Sequence, residues 1–112
     1  MVKSEEIRML KVYCYSRCST CKKALKWLDD KGIKYELIDI KENHPSEEEL
    51  RKYYAMSDLP LKRFWNTSGI PYREMGLSKK LKEMSEDEQF ALLATDGMLV
   101  KRPLLVGENF AL

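Results

Sequence analysis

The sequence lacks any long hydrophobic run and any large excess of one charge. No apolar segment approaches the roughly 20 residues of a membrane-spanning helix, and the stretch from Met1 to Arg8 carries charges where a signal peptide is apolar. Twenty basic and eighteen acidic residues leave a net charge of +2, and the charges are interspersed. We therefore expect a cytoplasmic protein that contacts no membrane and does not bind nucleic acid directly.

Several common catalytic motifs are also missing. The single histidine, His44, lies beside Pro45 in a predicted loop, without a nearby partner for a catalytic triad. There is no glycine-rich phosphate loop, and the position six residues beyond Cys18 is Ala24, so the Cys-x5-Arg loop of phosphatase-like enzymes is absent. We interpret His44 as a solvated loop residue.

What remains fits one small α/β domain. A chain of 112 residues with 44% hydrophobic content predicts a single domain over residues 1–112. Alternation over 10–14 predicts a first strand, and a helix is expected over roughly 19–31, ended by Gly32. A β-rich run at 35–40 completes a parallel strand–helix–strand unit.

The middle of the chain reads as a helical insert over roughly residues 46–96. Ser46 and Ser85 each begin a Ser-x-x-Glu capping box before a segment with helical spacing. Two shorter helices are expected, one from Pro60 through Trp65 and one from Leu77 to Met84. After a turn at 96–97, the segments 104–106 and 110–112 predict a hairpin around a three-residue loop at 107–109.

The chemistry of the sequence is concentrated in Cys18 and Cys21. A Cys-x-x-Cys pair at a helix start brings two sulfurs within bonding distance, and the N–H groups and dipole of the helix stabilise a thiolate on the first. The neighbouring basic residues Arg17, Lys22 and Lys23 favour the same charge. Cys18 is therefore the predicted nucleophile, and Cys21, on the apolar stripe of the helix, is the predicted resolving thiol.

Two metal-containing alternatives compete with this interpretation. The pair could form half of a zinc site, but only Cys14 and His44 remain as soft ligands, and their spacing is not one used by such sites. Cys14, Cys18 and Cys21 also match the Cys-x3-Cys-x2-Cys iron–sulfur motif of radical enzymes, which need a much larger domain. We favour a metal-free site, with Cys14 as a structural residue of the first strand.

Lys101-Arg102-Pro103 marks the entrance of a late strand. Pro103 removes a backbone donor just before an apolar run, and such X-Pro bonds are sometimes cis. If the fold brings this turn to the cysteine pair, Arg102 would project a permanent positive charge towards Cys18, where it could lower the thiol pKa or hold an oxyanion. The competing interpretation is a solvated arginine at a strand end.

Four segments together resemble the arsenate reductase-like family of the thioredoxin superfamily, which includes the Spx-type regulators. They are Cys18-Ser-Thr-Cys21-Lys-Lys-Ala24, Phe64-Trp-Asn-Thr-Ser-Gly69, Tyr72-Arg-Glu-Met-Gly-Leu77 and Lys101-Arg-Pro-Leu-Leu-Val106. The resemblance implies a thioredoxin-like (glutaredoxin-like) α/β fold, a mixed sheet with a helical insert. It also implies a reactive Cys18, a cis Pro103, an oxyanion-binding Arg102 and a final helix that has no counterpart before Leu112.

The sequence departs from the family pattern at the expected substrate site. Family members coupled to glutaredoxin typically use one cysteine and three arginines, whereas this chain adds Cys21 and matches only Arg102 clearly. Asn66 occupies the stretch of the first family arginine, and Arg63 is the nearest basic substitute. The expected substrate-binding residues are therefore Arg102, Pro103, Arg63 and Asn66.

Two functions follow from the resemblance. The first is a thiol–disulfide oxidoreductase that reduces arsenate or another small oxidant, without a bound cofactor but with an external thiol donor: glutathione, glutaredoxin or thioredoxin. The alternative is an Spx-type redox sensor that binds RNA polymerase through a Cys-x-x-Cys switch. The sequence favours the enzyme only slightly.

Overall fold

A three-stranded mixed sheet forms the centre of the computed structural model, which describes residues 10–108 and 110–112. The strands are β1 (Leu10–Cys14), β2 (Tyr35–Asp39) and β3 (Leu104–Val106), in the order β2-β1-β3. β1 is parallel to β2 and antiparallel to β3. The prediction about Met1 to Arg8 and the loop residue Asn109 lie outside the described residues.

The first helix, α1 (Ser19–Asp30), connects β1 to β2 as the sequence predicts. The helix ends just before Gly32, as expected. Gly32 adopts a φ of 70°, a left-handed conformation that favours glycine and ends the helix. Cys21 and Leu28 are its buried residues. They pack on Leu10, Val12 and Cys14 of β1, so a small apolar layer joins the helix to one face of the sheet.

The insert between β2 and β3 is helical, and both predicted capping boxes are present, at Ser46–Glu49 and Ser85–Glu88. Short 3₁₀ turns separate its helices. The bounds are α2 (Glu47–Ser57), a 3₁₀ turn at Leu61–Phe64, α3 (Ile70–Glu74), α4 (Leu77–Lys80), a 3₁₀ turn at Leu81–Glu83, α5 (Glu86–Leu93) and a 3₁₀ turn at Gly97–Leu99. The sequence interpretation missed α3, which has Pro71 in its first turn.

The predicted helix from Pro60 through Trp65 is wrong at its end. The helical turn stops at Phe64, and Trp65 is extended and bridges Val100 in antiparallel fashion. Two backbone hydrogen bonds flank the bridge, from Asn66 N–H to the Leu99 carbonyl (2.8 Å) and from Lys101 N–H to the Phe64 carbonyl (2.9 Å). Pairing with a distant segment thus replaces local helical bonds.

The larger apolar core lies between the sheet and the insert. Tyr13 of β1 points to this side, opposite to Val12 and Cys14, and its hydroxyl is 3.0 Å from that of Tyr53 in α2. Trp65 is 1% exposed and donates from Nε1 to Gln89 Oε1 at 3.1 Å. The insert is therefore packed firmly onto the sheet rather than appended to it.

The chain's last described residues turn back onto β3. Leu105 and Leu112 exchange backbone hydrogen bonds of 3.0 and 2.9 Å, and Val106 forms an isolated bridge with Ala111. The predicted pairing is present, but the returning arm is a single bridge instead of a full strand. Within the described ranges, no helix has the length and apolar character needed to span a membrane.

Candidate active site

Cys18 stands at the N-cap position of α1, just beyond the carboxyl end of β1. Its backbone N–H donates to the Tyr15 carbonyl (3.0 Å), and its carbonyl accepts from Lys22 N–H (3.2 Å). The turn between β1 and α1 is thereby closed around the cysteine. The neutral thiol makes no capping hydrogen bond, so the first N–H groups of the helix are available to a thiolate.

The pKa of Cys18 is lower than that of an ordinary cysteine. Burial is the largest single influence on this pKa and raises it. Hydrogen bonds from the backbone N–H and the thiol of Cys21 lower it, and with two smaller contributions they outweigh the effect of burial. Those are the N–H of Thr20 and the positive charge of Arg102. The helix start, which the sequence predicts to stabilise the thiolate, therefore contributes more than the charge of Arg102.

Cys21 is 1% exposed and lies on the inner side of α1. Burial raises the pKa of its thiol, and the neighbouring Cys18 raises it further, although contacts with Cys14 and Tyr15 act in the opposite direction. A buried, protonated thiol beside a half-buried, more acidic one is the arrangement expected of a resolving and an attacking cysteine. All the cysteines are free thiols here.

A cavity of about 400 Å³ opens directly over Cys18. Polar and basic side chains dominate its lining, and none of the described residues that line it is acidic. Its lining residues are Cys18, Thr20, Trp65, Asn66, Thr67, Ser68, Gly69, Lys101 and Arg102. Such a cavity is suited to a small anion in contact with the thiol.

Arg102 is held at the edge of this cavity by its surroundings. Its Nη1 donates to the carbonyls of Met98 (3.4 Å) and Val100 (3.3 Å), and its guanidinium carbon lies 5.4 Å from the centre of the Tyr15 ring. Among the described residues, its buried Nε has no hydrogen-bond partner. The guanidinium is half-buried, and the interpretation as a fully solvated arginine does not fit.

The other predicted substrate residues divide between two places. Asn66 lines the Cys18 cavity, and its side-chain amide donates to the Met98 carbonyl at 3.3 Å. Arg63 and Pro103 line a neighbouring cavity of about 210 Å³ instead, together with Leu104. The Arg102–Pro103 peptide bond is cis, as the resemblance implied. Thus the structure does not bring Arg63 to Cys18.

Lys101 and Tyr15 are among the contributors to the site that the sequence analysis missed. Lys101 lines both cavities, and Tyr15 supplies the ring against Arg102. Lys101 could have been predicted from the sequence, because it directly precedes Arg102. No pattern in the sequence pointed to Tyr15, because the contact joins the start of the chain to its end.

The geometry offers little to a metal ion. In the parts of the chain that the structure describes, no group of three or more His, Cys, Asp and Glu side chains is arranged to hold one. His44 is half-buried rather than solvated, with its Nδ1 3.2 Å from the Pro45 carbonyl oxygen. The zinc and iron–sulfur alternatives gain no support from this arrangement.

Comparison with known proteins identifies the family. The model of the ArsC family matches residues 13–111. The chain belongs to this family. Uncharacterized protein YusI of Bacillus subtilis is 56% identical over 95 residues, which is 85% of this chain and 80% of YusI.

Relatives with assigned roles are more distant. Global transcriptional regulator Spx 2 of Bacillus anthracis is 22% identical over 90% of this chain and 76% of its own length. An arsenate reductase of Rhizobium meliloti is 25% identical over 85% of this chain and 66% of its own length. Both branches of the family named from the sequence are therefore present among the relatives.

Solved structures agree on the thioredoxin-like ArsC fold. An ArsC family related protein from Bacteroides fragilis superposes with a TM-score of 0.92 and 49% identity, covering 95% of this chain and 89% of its own. The crystal structure of a possible arsenate reductase from Streptococcus mutans gives a TM-score of 0.87 and 50% identity, with coverages of 94% and 88%.

Proposed function

We propose that this ArsC-family protein is a thiol-dependent reductase in which Cys18 attacks a small oxyanion and Cys21 resolves the adduct. The observation that carries the proposal is the polar cavity over Cys18. Lys101 and Arg102 line it, and no acidic side chain occurs among its described lining residues. Arsenate is the proposed oxyanion, since relatives of this chain are named arsenate reductases.

In the first step, the Cys18 thiolate attacks arsenic(V). A sulfur–arsenic bond forms, an arsenic–oxygen bond breaks, and the departing oxygen leaves as water after taking up protons. The N–H groups of Thr20 and Cys21 hold the thiolate before attack. Lys101 and Arg102 supply positive charge to the oxygens that remain on arsenic.

In the second step, the Cys21 thiol gives its proton to solvent, and the resulting thiolate attacks the sulfur of Cys18. The disulfide forms, the sulfur–arsenic bond breaks, and arsenic keeps the electron pair and departs as arsenic(III). The two cysteines have then lost two electrons, and an external thiol donor restores them by exchange. Glutathione with glutaredoxin, or thioredoxin, is the proposed donor class.

The test is a coupled assay of NADPH oxidation with glutathione reductase and glutaredoxin, or with thioredoxin and its reductase. We expect oxidation that depends on arsenate and is abolished in Cys18→Ser and Cys21→Ser but retained in Cys14→Ala. A simple disulfide substrate, 2-hydroxyethyl disulfide, is assayed in parallel. If neither substrate gives turnover that requires Cys18, the reductase proposal is wrong.

A second candidate function is a redox-sensing regulator. It is supported by the relationship to Spx 2 and by the Cys-x-x-Cys pair, whose first member is accessible. Under this alternative the oxidised chain binds RNA polymerase. A pull-down of purified RNA polymerase with oxidised and reduced protein separates the candidates, because only the regulator requires retention that changes with oxidation.

A further inference from the structure

The third cysteine, Cys14, is unused by the proposed reaction, yet it lies beside the reacting pair. It is the last residue of β1 and is 5% exposed, while Cys21 is in the first turn of α1 and is 1% exposed. Both belong to one small apolar cluster, against which Cys18 also packs. The structure thus collects the chain's cysteines between the end of a strand and the start of a helix.

Cys14 and Cys21 also share a cavity of their own. It has a volume of about 200 Å³ and is distinct from the cavity over Cys18. Both thiols line it, with the apolar or aromatic Tyr15, Leu25 and Leu37, the polar Ser16 and the oppositely charged Lys22 and Asp39. The thiol of Cys21 is in hydrogen-bond contact with the thiols of both Cys14 and Cys18. This arrangement makes Cys21 a possible partner for either neighbour.

We propose that Cys14 is the third thiol of a relay: once Cys18 and Cys21 have formed a disulfide, Cys14 attacks Cys21 and sets Cys18 free. The inference rests on the proposed function, because that function supplies the first disulfide. It changes Cys14 from a structural residue of the strand into a participant in the thiol chemistry.

The exchange balances without any further oxidant. The Cys14 thiol gives its proton to solvent and its thiolate attacks the Cys21 sulfur. A Cys14–Cys21 bond forms, the Cys18–Cys21 bond breaks, and Cys18 departs as a thiolate. One disulfide and one free thiol are present before and after, so no electrons enter or leave the chain.

The direction of the exchange follows from the two environments. Burial, with a smaller contribution from Cys21, raises the pKa of Cys14, whereas the start of α1 favours the thiolate of Cys18. Cys18 is thus the better leaving group and the more stable free thiolate, while Cys14 attacks slowly. The relay is therefore slow but favourable, and it accelerates as the pH rises.

The chain's trypsin sites make the relay directly measurable. Trypsin cleaves after Lys11, Arg17 and Lys22, so Cys14 lies in peptide 12–17 and the other two cysteines share peptide 18–22. A Cys18–Cys21 bond closes a loop within one peptide, whereas a Cys14–Cys21 bond links two peptides. An N-ethylmaleimide label then marks the cysteine that remained free.

The full chain is oxidised with one equivalent of diamide at pH 8, acid-quenched over a time course, labelled in denaturant and digested. We expect early protein to hold Cys18–Cys21, and late protein to be mainly the linked peptides with the label on Cys18. A persistent Cys18–Cys21 bond overturns the relay but leaves the proposed function intact. Linked peptides labelled on Cys21 overturn it as well, since the bond would join Cys14 to Cys18.

Failure of the proposed function has a different signature, namely no early Cys18–Cys21 bond together with no Cys18-dependent turnover. Two variants support the measurement. Cys18→Ser is expected to form Cys14–Cys21 directly under diamide, and failure to do so contradicts the proximity on which the relay depends. Oxidised Cys14→Ala, with folding checked by circular dichroism, is expected to keep Cys18–Cys21 throughout and to expose no thiol to iodoacetamide.

Discussion

The backbone N–H of Asn66 donates a 2.8 Å hydrogen bond to the carbonyl oxygen of Leu99. This bond fastens the loop after the first 3₁₀ turn to the segment that leads into β3. Asn66, Lys101 and Arg102 consequently line one cavity, although they come from separate parts of the chain. Cys18 reaches the same cavity from the start of α1, so three segments build the site.

Iodoacetamide is expected to label Cys18 before the other cysteines. Its pKa is lowered and it is half-buried, whereas burial raises the pKa of both Cys14 and Cys21. At pH 7 we expect a rate at least about tenfold above that of either. Limited labelling followed by tryptic mass mapping measures the order, and faster labelling of Cys21 would reverse the assigned roles.

Removal of the Arg102 charge is expected to raise the pKa of Cys18 and to slow its attack. The guanidinium is one of the groups that lower this pKa, but the N–H groups of α1 remain in Arg102→Ala. The thiolate absorbance is titrated against pH in a Cys14→Ala, Cys21→Ala background, with Arg102→Lys as the control that keeps the charge. Coincident titrations of the parent and Arg102→Ala would show that the charge does not act on Cys18.

Lys101 and Arg63 form a matched pair of basic residues for testing the substrate site. Lys101 lines the cavity over Cys18 and Arg63 does not. Under the proposed function, Lys101→Ala should raise the arsenate KM by about tenfold, as expected for a lost charged contact of about 1.5 kcal/mol. Arg63→Ala should change it by less than about twofold. The opposite ranking would restore Arg63 as the substrate residue.

Gly97 is expected to tolerate no side chain. A Cβ at this position would collide with the backbone carbonyl of Ile40. Gly97→Ala should therefore lower the free energy of unfolding by about 3 kcal/mol or more. The control is Gly32→Ala, where the space is open and only the positive φ opposes substitution, at about 1 kcal/mol. Urea denaturation measures both, and equal losses would contradict the steric explanation.

The free energy of unfolding is expected to fall at alkaline pH because the Tyr13 hydroxyl keeps its proton more tightly in the folded state than in the unfolded chain. Burial, followed by its hydrogen bond with Tyr53, raises the pKa of Tyr13 above the ordinary value of 10.0. The unfolded chain therefore loses this proton first as the pH passes 10, and the folded state is destabilised by up to about 1.4 kcal/mol per pH unit. In Tyr13→Phe the fall above pH 10 should be shallower. Equal slopes in urea titrations at pH 9 to 11 would refute the contribution.

Features with a local cause could be predicted from the sequence. The ends of α1, both capping boxes and the cysteine pair at the helix start depend on a few neighbouring residues. The extended Phe64–Asn66 segment could not, since its conformation is decided by pairing with residues 99–101. The presence of Lys101 in the cavity lining was missed for a related reason, because Lys101 belongs to the segment that pairs with Phe64–Asn66.

The prediction for Cys14 shows a different limit. Alternation placed it within β1, where it is buried, and a small apolar residue in a strand needs no further explanation from sequence alone. Its nearness to Cys21 depends on how α1 packs against the strand. Sequence spacing fixes neither the height nor the rotation of that helix.

The position of β1 between β2 and β3 also bears on how the protein emerges from the ribosome. β2 follows β1 after a single helix, but β3 follows only after the whole helical insert. A nascent chain therefore presents Cys18 and Cys21 well before Lys101 and Arg102 have been synthesised. Until β3 pairs, the thiols have a helix start but no anion cavity, so the completed site appears only after the segment that carries Lys101 and Arg102 has been synthesised.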